Sequence, residues 1–175
     1  FHDKELSDEH FLCLIVGELM EAVEADRKGR FAKVPVDKKD TIFDERTFHY
    51  QNKYFAENFE AYIKDCVEDE LADAAIRLLD LCGLRKIDIE DFTEEMLYGA
   101  EESCNDETFT ESVYAISTIP IRYEYEYDYP LGGQLNSMLL AIFGLAKHLD
   151  IDLIWHINQK MRYNELRENK HGKKY

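Results

Sequence analysis

At 175 residues, with 45% hydrophobic and 13% aromatic side chains, the chain has the composition of a folded domain and enough length for one core. Its formal charge of −16 excludes the basic surface that non-specific nucleic-acid binding requires. No apolar run approaches the ~20 residues of a membrane span, and no basic segment followed by an apolar one marks a secretory signal.

Ser7, followed by Asp8 and Glu9, reads as an N-cap with acids in the first helical turn, opening a helix to about Lys28 with Gly29 as its C-terminal cap. From Arg30 to about Tyr54 no period is sustained, and the segment reads as a long connection with short structure of its own. A second helix is expected from Ala56 to Leu84, with a break near Lys64–Asp65. Residues 89–121 look helical in two pieces, Phe92 to Glu102 and Thr108 to Ile119, ending at Pro120. Tyr123-Glu-Tyr-Glu-Tyr-Asp-Tyr129 then alternates with a period of two, a strand pattern, to be met by an extended loop or a paired strand. After Leu131-Gly-Gly come two more helices, Leu135 to Leu149 and Asp152 to about Arg167, with Asp152 as N-cap. The expected architecture is all-α: one domain over residues 1–175, built as a four-helix bundle with inserts at about 30–54 and 89–133.

Cys13, Cys66, Cys82 and Cys104 form no C-x-x-C pair and have no histidines at zinc spacing, so a reduced, cytoplasmic setting is expected. The charge is uneven: residues 160–175 carry a net of +4 on an otherwise acidic body, which suggests either a local anion site or a solvated tail.

Acids three residues apart are common in a chain with 37 of them, so spacing alone decides nothing. Neighbours decide more. At 100° per residue, Glu18 and Glu21 share a stripe with Phe11, Leu14, Ile15, Ala22 and Ala25, while Leu12, Val16, Leu19, Met20 and Val23 form what looks like the core face. Glu70 and Asp73 share theirs with Ile63, Cys66, Val67, Ala74 and Leu81. Two helices that each sink a carboxylate pair into an apolar surface are not solvated faces. Two charges ~4 Å apart cost about 4 kcal/mol at an effective dielectric of 20. If the four converge, either some are protonated or a cation sits among them, and hard oxygen donors select Mg²⁺, Mn²⁺ or Ca²⁺. The competing arrangement pairs Asp73 with Arg77 and leaves the glutamates in water. On the last helix, His156, Lys160, Asn164 and Arg167 recur along one stripe, followed by Lys170, His171 and Lys173. Alone this is an exposed basic face; beside a metal-carboxylate site it is an anion clamp.

These residues resemble the all-α nucleotide pyrophosphohydrolases of the MazG type, marked by E-x-x-E on one helix and E-x-x-D on the next, here Glu18-Leu-Met-Glu21 and Glu70-Leu-Ala-Asp73. The segment from Lys160 to Tyr175 also looks like a MazG-like ending. The resemblance covers under half the chain, and departs from the family at Gly17, where an acid is usual, and in the longer connection from Glu21 to Glu70. It implies Mg²⁺, with Mn²⁺ as the alternative, held by Glu18, Glu21, Glu70 and Asp73. Glu21 and Glu70 would be the catalytic carboxylates, with Glu21 the favoured base. Lys160, Asn164, Arg167, Lys170, His171 and Lys173 would contact the substrate. The implied reaction is hydrolysis of a nucleoside triphosphate at the α–β bond to monophosphate and pyrophosphate, in a homodimer or higher oligomer. A di-iron bundle would need E-x-x-H twice, and the one instance, Glu168/His171, lies in the polar tail. A non-catalytic bundle that binds a nucleotide or a protein is the remaining rival.

Overall fold

The computed structural model describes residues 6–36 and 39–167; those residues are helical with no strand among them. The first helix, α1 (Asp8–Arg27), starts where the cap chemistry places it: the Ser7 side chain accepts from the His10 N–H, and Asp8 and Glu9 occupy the first turn. It ends as expected too, with Gly29 at φ +62° and the Arg30 N–H closing onto the Ala25 carbonyl at 2.9 Å.

The connection at 30–54 folds into α2 (Lys39–Ile42) and α3 (Glu45–Tyr50), leading into α4 (Asn52–Tyr62). The expected break is real and separates two helices: Asp65 sits at φ +59°, and α5 (Val67–Arg85) starts afterwards. α6 (Glu94–Glu102) and α7 (Phe109–Ser117) match the two helical pieces, and Thr108 and Glu111 of α7 form a complete capping box.

Three expectations change. Pro120 does not end a helix but opens one, α8 (Ile119–Tyr125), where a missing N–H in the first turn costs nothing. The tyrosine repeat is not a strand: α8 takes Tyr123 and Tyr125, and the chain then turns through Asp128 at φ +53°. Tyr127 and Tyr129 fold back edge-on against Tyr123, and the Tyr129 N–H reaches the Tyr123 carbonyl at 2.9 Å. A lone strand leaves its backbone unpaired, whereas this arrangement pairs it locally. Finally, Leu131-Gly-Gly belongs to the first turn of α9 (Leu131–His148) rather than to the insert. Asp152 then caps α10 (Leu153–Leu166) through the Trp155 N–H, as expected.

The long helices α1, α5, α9 and α10 supply most of one core, in which Phe11, Ile15, Leu71, Leu78, Leu135 and Met138 are fully buried. The 30–54 insert builds a second, aromatic core of Phe43, Phe48, Phe55 and Phe59 against Tyr163 of α10. α10 serves both, giving Leu153 and Ile157 to the first and Tyr163 to the second. α5 begins at the seam, with Cys66 in the aromatic core and Val67 in the other.

α6 and α9 cross with almost no clearance. A Cβ built on Gly144 would lie 2.5 Å from the Ala100 Cβ and 2.6 Å from its carbonyl carbon, whereas one on Gly17 of α1 meets nothing within 4 Å. Gly144→Ala is therefore expected to destabilise by about 1–3 kcal/mol, and Gly17→Ala to stabilise by about 0.5–1 kcal/mol. Thermal denaturation followed by circular dichroism reads both; equal melting temperatures would contradict the close α6–α9 crossing.

Candidate metal centre

The acids gather where α1, α5 and α10 meet. α1 buries Phe11, Ile15, Glu18, Leu19, Ala22 and Ala25, so the stripe that carries Glu18 is its core face. Of the arc taken from the sequence as the core face, only Leu19 is buried; Leu12, Val16 and Val23 are half-buried and Met20 is exposed. α5 is buried almost all round at its start, and Glu68, Asp69 and Glu70 of its first turn are all inside. The helix N-terminus is the favourable end for negative charge, which eases but does not remove the cost of burial.

One oxygen each from Glu18, Glu70 and Asp73 lie within 4.8 Å of one another. Glu18 and Glu70 are buried and Asp73 is half-buried. A second group, Asp65, Asp69 and Glu70, meets the same criterion and shares Glu70. Glu21, the fourth acid of the sequence motif, stands exposed one turn on from Glu18 and outside these groups. Its charge still acts on both Glu18 and Glu70.

Two cations come with the acids. Arg77 of α5 crosses to α1, its Nε 2.5 Å from Glu18 Oε1, so the guanidinium that the competing arrangement paired with Asp73 serves the other helix. Lys160 of α10 is 5% exposed, with its Nζ 2.8 Å from Asp69 Oδ1 and 2.7 Å from Asp73 Oδ2. Burial works to lower the Lys160 pKa, yet Asp73 and Asp69 overcome it and raise it above the usual lysine value. Lys160 is thus a fixed positive charge.

Glu70 is the group left over. It is 5% exposed, and no hydrogen bond or ion pair reaches its carboxylate among the described residues. Burial, with Asp69 next, pushes its pKa up to about 8. Glu18 is also raised, by burial first, with Arg77 opposing. The donor set is all oxygen and anionic, with a buried member that has no donor of its own, which fits a hard divalent cation.

The basic stripe of the last helix divides. His156 and Lys160 are buried, while Asn164 is exposed and Arg167 is half-buried with its guanidinium 5.4 Å from the Tyr163 ring centre. His156 sits near Glu68, and its Nδ1 has no hydrogen-bond partner among the described residues. Burial drives its pKa down to about 4, so it is neutral at pH 7. Lys170, His171 and Lys173 lie outside the described residues.

Asp69, 1% exposed, is the member that sequence reasoning missed. It lies next to Glu70, but the E-x-x-D frame drew attention past it; its signal was three successive acids at a helix start among apolar residues. The exposed Glu60, by contrast, receives the Tyr163 hydroxyl at 2.7 Å and anchors α4 to α10.

No family model matches the chain, and no curated protein or solved structure matches it either. The helices described above therefore stand on their own geometry.

In the ion-free protein Glu70 holds its proton more tightly when folded, near pH 8, than at its ordinary 4.5. The stability this gives is fully present below pH 4.5 and is lost as pH rises through 8. In EDTA, the melting temperature of the wild type should fall by several degrees more than that of Glu70→Gln between about pH 5 and about pH 9. Parallel pH profiles would mean that the Glu70 carboxylate is solvated and ionised throughout.

Proposed function

We propose that this chain binds Mg²⁺ (or Mn²⁺) between α1 and α5 and hydrolyses a nucleoside triphosphate to monophosphate and pyrophosphate. The observation that carries the reading is Glu70, a buried carboxylate with no donor among the described residues, gathered with Asp73 of its own helix and Glu18 of α1 within 4.8 Å. Asp73 and Glu18 complete the donor set from the two motif helices, as the MazG resemblance implies.

A bound Mg²⁺ would neutralise charge on the phosphates and polarise the phosphorus under attack. The protein's own residues do the rest. Glu70, Glu18 and Asp73 fix the ion's position from rigid helices. Glu21, exposed beside them, is placed at the solvent side, where a carboxylate can orient water and accept its proton. Asn164 and Arg167, where α10 emerges into solvent, are the described members of the anion clamp. The cytoplasmic setting and homo-oligomeric state are carried forward as part of the proposal; no described helix is long and apolar enough to cross a membrane.

A second reading draws on Lys160 and Arg77. These cations already answer three of the carboxylates, so the network could serve a non-catalytic bundle that binds a nucleotide or a protein. Pyrophosphate release from a panel of nucleoside triphosphates separates the two. The hydrolase should release pyrophosphate with Mg²⁺, not with EDTA, and Glu70→Gln should lower the rate by on the order of 10²-fold or more. Well-folded wild type that releases none from any triphosphate would leave the binding module as the function.

A further inference from the structure

Asp73 has two claimants. Its carboxylate holds the Lys160 ammonium at 2.7 Å, and it also lies within 4.8 Å of the donor oxygens of Glu18 and Glu70. A divalent ion seated among those oxygens would therefore stand close to a buried ammonium. Like charges a few ångströms apart in a poorly solvated site repel strongly. Lys160, held between Asp69 and Asp73, bears that repulsion. It can move, since a four-carbon stem lets the ammonium swing where the helix backbone cannot.

Resting on the ion-binding reading above, we infer that Lys160 is a resident counter-ion, which a divalent cation displaces from Asp73. Without the ion, the ammonium keeps Asp69 and Asp73 together and ties α10 to α5. With the ion, Asp73 turns to the metal and Lys160 keeps Asp69. One of its donors is then free for an anion that arrives with the ion, and α10 loosens its hold on α5. Ion binding and anion binding are in this way linked through one side chain on the helix that also carries Asn164 and is capped by Arg167.

Trp155 reports the movement. It is the one tryptophan of the chain and lies on α10, with its ring edge-on to Phe43 at 5.5 Å and the Lys39 ammonium 4.4 Å from its centre. The experiment is calorimetric titration of Mn²⁺ into the full chain as wild type, Lys160→Met and Lys160→Arg, with Mg²⁺ titrations followed by Trp155 emission in the wild type. Lys160→Met should bind Mn²⁺ at least about tenfold more tightly than the wild type. Lys160→Arg, which keeps the charge, should bind like the wild type, and Trp155 emission should change with a midpoint that matches Mg²⁺ binding. If Lys160→Met is unfolded alone, Mn²⁺ should fold it, since the ion takes over Asp73, one of the two abandoned carboxylates, and offsets the charge of its neighbours; failure to fold at saturating Mn²⁺ overturns the inference. So does unchanged or weaker Mn²⁺ binding in folded Lys160→Met, equal tightening in Lys160→Arg, or a silent Trp155 in wild type that binds Mg²⁺. Wild type that takes up neither ion overturns the ion-binding reading itself, a result distinct from all of these.

Discussion

The ion pair between Lys160 and the carboxylates of Asp69 and Asp73 is the contact on which the arrangement of the helices turns. It joins residues 91 apart in sequence, at the point where both cores meet α5. Without it α10 would present its buried stripe to three acids and no cation. With it α10 can lie between the cores, giving Ile157 to one and Tyr163 to the other. Arg77 does the same for α1 through Glu18. Buried pairs of this kind seldom add net stability, because desolvation offsets most of the attraction. On the proposed reading, the charge at these positions serves ion binding, a task beyond folding.

That task is tied to an imbalance. Two cations answer Glu18, Asp69 and Asp73, and Glu70 remains only 5% exposed with no donor among the described residues. Protonation solves the problem at the expense of a pKa near 8. A divalent cation would solve it without the proton. Rigid helices set the donor geometry from two sides, while the exposed Glu21 leaves one side open to solvent. The proposed metal-assisted hydrolysis would draw on this combination of fixed oxygens and an accessible face for water.

Much of this was readable from residue pattern alone. Ser7, Gly29 and Asp152 announced their helix ends because capping is local chemistry. The pairing of Glu18 with Glu70 and Asp73 followed from acids set in apolar stripes, and the structure brings those three together. What failed depended on partners distant in sequence. The tyrosine repeat has a perfect strand period, but no second strand exists to pair with it among the described residues, and Pro120 starts a helix through its first half. The apolar arc of α1 through Met20 looked like the core because wheel position cannot tell which of two apolar sides meets α5. Lys160 was read as part of an anion clamp, and only the fold shows the two carboxylates, Asp69 and Asp73, that draw it inward.

The most direct test of the account is a crystal of the chain grown with Mn²⁺ and measured at a wavelength where manganese scatters anomalously. The account expects an anomalous peak between α1 and α5, within about 2–2.5 Å of oxygens from Glu70 and Asp73. A map with no peak there, and Glu70 still facing its neighbours as a protonated acid, would contradict it.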